Sequence, residues 1–196
     1  MNKIAKIVGW VMHPFFVPIY LLLVILVFSP FKRLLPIETL WGTWLIVVFS
    51  SIVIPFAVIV ALKHFKVIKS ITLDDREDRA WPMLVEGVML ALGSLILMLF
   101  PMAESFTTIM SVISLLILLG AFITLYWKIS VHAMVWGAVC GIFLIFGPLL
   151  KWAFIASIII AGVVCTSRLL LGKHNGWQVL AGFMCGIVMT TLLLSI

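Results

Sequence analysis

Long apolar runs, separated by short polar segments, occupy almost the whole chain. A transmembrane α-helix needs about 20 predominantly apolar residues, and several stretches come near that length. The joins near Lys151 and Asn175 are so short that six and seven spans are both admissible. The predicted spans are approximately residues 10–30, 40–62, 82–101, 106–127, 132–150, 152–171 and 177–196.

The composition excludes a soluble domain. Hydrophobic residues make up 65% of the 196 positions and charged residues only 10%, whereas soluble domains carry roughly 25% charged residues. Lipid must therefore cover most of the surface. We predict an all-α, polytopic transmembrane helical bundle that forms a single domain. Residues 1–62 hold the N-terminal spans, 63–81 a polar loop and 82–196 the remaining spans.

The net charge of +6 comes from basic residues that cluster between the apolar runs. This arrangement favours anionic lipid headgroups or a phosphorylated substrate as partners, and not nucleic acid. The cysteines, Cys140, Cys165 and Cys185, lie inside apolar runs without a CxxC spacing. We expect them to be buried thiols, and we expect no metal and no cofactor.

Polar residues concentrate in three clusters along the chain. The first runs from Lys63 to Arg79, the second from Lys128 to His132 and the third from Ser167 to Gln178. With seven spans, two crossings separate each cluster from the next. All three clusters are therefore expected on one face of the membrane, where distant segments can build one site.

The third cluster contains the clearest signals. The gap between Arg168 and His174 does not suit one helical face, but Gly172 predicts a helix end before His174. Asn175 then fits as the N-cap of the last span. Gln178 has two interpretations, which stay open. It completes a capping box with Asn175, or it reaches back four residues to the His174 imidazole.

The second cluster repeats this logic at another helix start. Ser130 predicts an N-cap, which places His132 where backbone N–H groups favour an anion. Two histidines and several arginines suit a phosphate ester, because one imidazole can attack phosphorus while the other protonates the departing oxygen. The alternatives are a helix–helix hydrogen bond for His132 and a headgroup contact for Arg168.

The three clusters together resemble the type 2 phosphatidic acid phosphatase (PAP2) superfamily, which includes the vanadium haloperoxidases. The pattern of that family is K-x6-RP, then PSGH, then SR-x5-H-x3-D. The third element is nearly complete here as Ser167-Arg168-x5-His174, and the second is partial as Ser130-Val-His132. The resemblance covers about residues 69–182.

The first element of that pattern is the weakest in this chain. Lys69-x6-Arg76 has the family spacing, but Glu77 follows where a proline is expected, and Arg79 is a second candidate for the arginine. The Asp75-Arg76-x-x-Arg79 pattern and the N-terminal His13-Pro-Phe-Phe-Val-Pro segment resemble a small bacterial branch of the superfamily. The alternative is a solvated loop in which Asp75 pairs with Arg79, and His13 alone favours a structural role.

The resemblance implies a metal-independent phosphatase that acts on a phosphomonoester or pyrophosphate of an amphiphilic lipid. His174 would be the nucleophile that forms a phosphohistidine, and His132 the general acid. The implied catalytic set is His132, Arg168, His174 and Gln178. The expected phosphate-binding set is Lys69, Arg76, Arg79, Lys128, Ser130 and Ser167, with Lys128 also suited to anchoring the end of its helix.

One departure from the family concerns the aspartate that follows the nucleophile by four residues, which is Gln178 here. A glutamine accepts the imidazole hydrogen bond but brings no charge. In a serine-protease triad, changing aspartate to asparagine lowers kcat by about 10⁴. A catalytically inactive lipid-phosphate binder or accessory protein is therefore the second hypothesis, and a small anion transporter is the third.

The orientation of the chain in the membrane stays open. Counting every cation favours a cytoplasmic site face by the positive-inside rule. Without the motif cations, Lys3, Lys6, Lys63 and Lys66 stand against Lys32, Arg33 and Lys151, and the count decides nothing. The resemblance implies a bacterial inner membrane and an extracytoplasmic site.

Overall fold

The computed structural model describes residues 2–28, 35–71, 73, 75–101, 103–146 and 150–195. Over these ranges the protein is an all-α helical bundle without strands, which confirms the predicted fold class. Lys32 and Arg33, which entered the charge count, lie outside the described residues.

Nine α-helices are found within the described ranges, and two short helices of other types adjoin them. A 3₁₀ turn at Pro14–Phe16 joins the first two α-helices, and a π-helix at Phe49–Val53 joins the third and fourth. The α-helices are α1 (Asn2–Val11), α2 (Val17–Phe28), α3 (Ile37–Val48), α4 (Ile54–His64), α5 (Ala80–Leu97), α6 (Glu104–Tyr126), α7 (Val131–Phe146), α8 (Lys151–Leu170) and α9 (Gly176–Ser195).

The spans agree with the prediction from the apolar runs. Six helical segments in the described part of the chain are long and apolar enough to cross a membrane, and α7 is a shorter apolar helix of 16 residues. The choice between six and seven spans therefore depends on α7 alone. The six long segments are Lys3–Phe28, Ile37–His64, Ala80–Leu97, Glu104–Tyr126, Lys151–Leu170 and Gly176–Ser195.

The π-helix has a local cause in Pro55, which has no N–H to donate to the preceding turn. The backbone widens there, and the Ile54 N–H bonds to the Phe49 carbonyl five residues earlier. The Ser51 hydroxyl donates to the Val47 carbonyl at 2.7 Å. These bonds let one helical rod continue through a proline, as membrane helices often do.

The chain divides into two compact units, which we describe separately. The first unit contains Met1–Val17 and Tyr126–Ile196, and therefore α1 and α7 to α9. The second contains Pro18–Leu125, which covers almost all of α2 to α6. The thiols are free: Cys140 is buried, as predicted, while Cys165 and Cys185 are only partly buried.

Two glycines of α9 bring the helix against the backbone of α7. A Cβ on Gly186 would overlap the Met134 carbonyl oxygen, and a Cβ on Gly182 would lie 2.5 Å from the Ser130 oxygen. Two small residues four positions apart let membrane helices approach this closely. The sequence signal is Gly-x3-Gly, which the search for polar clusters missed.

Two glycines of α7 likewise lie against the backbone of α9. A Cβ on Gly141 would lie 2.9 Å from the Ile187 carbonyl oxygen, and a Cβ on Gly137 would overlap the Phe183 oxygen. Residue numbers rise together along both helices, so α7 and α9 run parallel. Their N-terminal ends lie side by side, and this arrangement brings the second and third polar clusters together.

Candidate active site

Ser130 immediately precedes α7 and links it to α9. Its Oγ accepts the Ala133 N–H at 3.4 Å, which confirms the predicted N-cap. Its own N–H donates to the Gln178 main-chain oxygen at 3.2 Å. The side chain is fully buried. The structure therefore uses this hydroxyl as a cap at the start of α7, while the phosphate contact stays a prediction.

His132, in the first turn of α7, meets Arg168 from the end of α8. Arg168 Nη1 lies 3.3 Å from His132 Nε2. His132 Nε2 also lies 3.3 Å from the main-chain oxygen of Gly9 in α1. The second and third clusters therefore meet within the first unit.

The end of α8 has the geometry that Gly172 predicts. Gly172 has a φ of +61°, the left-handed conformation that favours glycine. Its N–H bonds to the Leu169 oxygen at 2.9 Å, and the Lys173 N–H bonds to the Arg168 oxygen at 3.2 Å. These two bonds form a Schellman motif. The turn ends the helix two residues after Arg168, at Leu170, and places His174 just before the start of α9.

Gln178 combines the two roles that its position suggests. Its Oε1 accepts the Asn175 N–H at 3.2 Å, while Asn175 Oδ1 accepts the Gln178 N–H at 2.9 Å. These bonds form the capping box. The same Oε1 lies 3.1 Å from His174 Nδ1. Because this oxygen can only accept, Nδ1 carries the proton and the lone pair of a neutral His174 resides on Nε2.

Ser167 and Lys128 occupy different environments. Ser167 is almost completely buried, and its hydroxyl donates to the Val164 oxygen of its own helix at 2.7 Å. Lys128 lies between α6 and α7 and is partly exposed. The structure thus gives Ser167 a helical role and leaves a phosphate contact of Lys128 as a prediction.

His13 has the structural role that its position before Pro14 favours. Its Nδ1 accepts the Phe15 N–H at 3.3 Å and so caps the short 3₁₀ turn. Its ring also contacts the His132 ring edge to face, with centroids 5.1 Å apart. The sequence alone did not make His13 a candidate site residue, whereas in the structure its ring lies against that of His132.

The cations of the first cluster lie in the second unit. Lys69 Nζ donates to Asp75 at 3.2 Å and lies 4.0 Å from Glu77. The hydrogen bond to Asp75 raises the pKa of Lys69 above its usual value. Asp75 therefore pairs with Lys69.

Both arginines of the first cluster bond to main-chain oxygens of their own unit. Arg76 Nη1 donates to the Leu125 oxygen at 2.7 Å, and Arg79 Nε donates to the Leu73 oxygen at 2.6 Å. The structure brings His132 and Arg168 into contact within one unit, with His174 at the start of the adjacent helix. The loop that carries Lys69, Arg76 and Arg79 belongs to the second unit.

Two residues with specific contacts were missed by the sequence analysis. Asp78 is buried, and its Oδ2 accepts the Lys69 N–H at 2.7 Å, which ties the ends of the polar loop together. Gly9 lies where a Cβ would overlap the Arg168 guanidinium. A glycine inside an amphipathic helix is the one sequence signal for the latter.

Comparison with known proteins adds no relative to this geometry. The chain matches no protein-family model, no curated protein and no solved structure.

Proposed function

We propose that the protein is a membrane lipid phosphate phosphatase of the PAP2 type. It would hydrolyse a phosphomonoester or pyrophosphate of an amphiphilic lipid through a phosphohistidine, without a metal. The observation that carries the proposal is the contact of 3.3 Å between Arg168 and His132, at adjacent helix ends that also bear His174. A guanidinium and two imidazoles are the groups that phosphoryl transfer through histidine needs.

His174 is the nucleophile in this mechanism. Gln178 Oε1 holds the Nδ1 proton at 3.1 Å, so Nε2 presents its lone pair. Nε2 attacks phosphorus, a P–N bond forms, and the bond between phosphorus and the lipid oxygen breaks. The imidazole becomes cationic as the bond forms, and the glutamine oxygen stabilises this charge through its dipole.

His132 and Arg168 serve the departing oxygen and the phosphoryl group. Arg168 binds phosphoryl oxygens through its guanidinium, which is planar and always charged. Protonated His132 gives its proton to the leaving lipid alkoxide. In the second step, water attacks phosphorus, His132 takes a proton from that water, and the P–N bond breaks to release phosphate and restore His174.

The second candidate function is a lipid-phosphate binder without turnover. Gln178 favours it, because the residue that holds the His174 imidazole carries no negative charge to stabilise the cation. In that protein, Arg168 and the histidines would bind a phosphate headgroup that stays intact.

The test is phosphate release by the purified protein in detergent. The substrates are phosphatidic acid, phosphatidylglycerol phosphate, a polyprenyl pyrophosphate and a lipid A phosphate, each with and without vanadate. We expect vanadate-sensitive release from at least one lipid, and no release by His174→Ala. His64→Ala is the matched control, because His64 is an exposed histidine of the second unit.

The outcomes separate the two functions. Full activity in His174→Ala would overturn the phosphohistidine mechanism. No release from any lipid, together with saturable binding of a lipid phosphate that Arg168→Gln abolishes, would favour the binder.

A further inference from the structure

The N-terminal segment from Gly9 to His13 borders the candidate site but belongs to none of the three polar clusters. Gly9 lies in α1, which packs against α8 in the first unit. A Cβ on Gly9 would overlap Arg168 Nη2 and lie 3.1 Å from Cζ. The guanidinium therefore occupies the space that a side chain at position 9 would need.

One nitrogen of His132 faces both a donor and an acceptor. Nε2 lies 3.3 Å from Arg168 Nη1 and 3.3 Å from the Gly9 oxygen. A guanidinium only donates and a main-chain carbonyl only accepts. Arg168 therefore suits Nε2 without a proton, and Gly9 suits Nε2 with one. A group that gives up a proton and later takes one back has a partner here in both states.

Two more contacts hold this segment against α7. Trp136 Nε1 donates to the Met12 oxygen at 3.0 Å. The His13 ring meets the His132 ring at 5.1 Å, edge to face, and is itself fixed by the bond from the Phe15 N–H to its Nδ1. Since His132 and Trp136 are four residues apart, they contact the segment from one side of α7.

We propose that Gly9 and His13 are positioning residues of the candidate site. Gly9 sets the places of the Arg168 guanidinium and of His132 Nε2, and His13 holds the His132 ring in the orientation in which it transfers a proton. The catalytic meaning of this inference rests on the proposed phosphatase function. The positioning itself is a property of the folded protein and can be measured without turnover.

Three variants separate positioning from a general structural role. Gly9→Ala adds the methyl group that overlaps the guanidinium. His13→Asn keeps an acceptor for the Phe15 N–H but removes the ring that contacts His132. Gly162→Ala is the matched control, because a Cβ at Gly162 in α8 would meet nothing within 4 Å.

The first measurement is nitrogen-15 NMR of the histidine rings in the full-length protein in nanodiscs. The signals of His132 are assigned by their loss in His132→Gln. We expect them to shift in Gly9→Ala and in His13→Asn, and to match those of the wild type in Gly162→Ala. Unchanged His132 signals in both test variants would overturn the inference, whether or not the wild type releases phosphate.

The second measurement compares two leaving groups. Dodecyl phosphate releases an alkoxide that needs a proton, and para-nitrophenyl phosphate releases a phenolate that does not. The quantity compared is kcat/KM, which reports the first step alone, because His132 also takes a proton from water in the second step, which both substrates share. General acid catalysis contributes about 10² to 10⁴ to rate, so a misplaced His132 should lower kcat/KM for dodecyl phosphate about tenfold in His13→Asn. The kcat/KM for para-nitrophenyl phosphate should stay close to that of the wild type.

The remaining outcomes are distinct. Equal losses of kcat/KM on both substrates, or wild-type kcat/KM on both in His13→Asn, would overturn the positioning role, and the latter result would assign His13 to capping alone. A wild type without any His174-dependent release would instead overturn the proposed function, and the NMR result would still decide whether Gly9 and His13 hold His132.

Discussion

Arg168 and Arg76 are both motif arginines, yet their surroundings differ. Arg168 meets a side chain from another helix, with its Nη1 3.3 Å from His132 Nε2. Arg76 bonds to the main-chain oxygen of Leu125 at 2.7 Å, in a loop where Lys69 pairs with Asp75. The side chains of that pair are 69% and 58% exposed, so water competes with the contact.

This difference shows that the spacing of cations along a sequence does not determine which groups surround each cation in the structure. Arg168 lies in the last turn of α8, before the Schellman motif, and meets His132 at the start of a neighbouring helix. The cations of the loop bind groups of their own unit: Lys69 pairs with a carboxylate, and Arg76 and Arg79 donate to main-chain carbonyl oxygens. Two arginines that both match the PAP2 pattern in sequence can therefore have different surroundings in the structure.

The comparison predicts that conservative changes of the two arginines differ most in activity. Arg168→Lys loses the planar fork that holds phosphoryl oxygens and should lower kcat/KM by about 10² to 10³. Arg76→Lys should lower it by about tenfold at most, because a lysine can still donate to the Leu125 carbonyl. Steady-state kinetics on the best lipid of the panel measures both. Equal losses would break the comparison.

Backbone packing in the first unit should have the next largest effect. Gly186→Ala places a methyl group against the Met134 carbonyl of α7, which cannot rotate away, and should destabilise the protein by about 3 kcal/mol. Gly162→Ala has open space and should be neutral or slightly stabilising. Thermal unfolding in detergent compares the two. The same melting temperature in both variants would show that α7 and α9 do not depend on close glycine contacts.

The polar loop of the second unit should depend on Asp78 more than on its exposed charges. Asp78→Ala leaves the Lys69 N–H without its buried acceptor and should lower the free energy of unfolding by about 2 kcal/mol. Asp75→Asn serves as the control and should cause little change at pH 7. A larger loss in Asp75→Asn than in Asp78→Ala would contradict this view.

The pH dependence of the Lys69–Asp75 pair follows from the raised pKa of Lys69. Its stabilising contribution is complete below the ordinary lysine value of 10.5 and disappears as the pH rises through the raised pKa. Neutral pH therefore shows the whole of this contribution, which is small for an exposed pair.

The last prediction concerns Gln178, the residue that holds His174. Gln178→Leu removes both the capping bond and the acceptor for Nδ1, and should lower kcat by about tenfold. Gln178→Glu keeps both bonds and adds the negative charge that an aspartate carries in the PAP2 pattern, so kcat should rise under the proposed function. Comparable kcat values in all three proteins would show that the contact between His174 and Gln178 is capping geometry alone.

The sequence by itself determined the class of protein and its helices. Long apolar runs with few charges require helices, because each helix satisfies its own backbone hydrogen bonds in lipid. The ends of helices near the site were also local properties. Gly172, Asn175 and Ser130 each act through bonds to residues within five positions, and the structure confirms these turns and caps.

The tertiary structure decided which polar residues meet. The Gly-x3-Gly surfaces of α7 and α9 bring Ser130 and Gln178 together, and the gap at Gly9 admits the Arg168 guanidinium. These contacts join residues 48 to 159 positions apart, and their existence depends on how closely two backbones approach. Local sequence patterns carry no information about that distance. The contacts of Gly9 with Arg168 and of His13 with His132 therefore follow only from the packing of the N-terminal segment in the first unit.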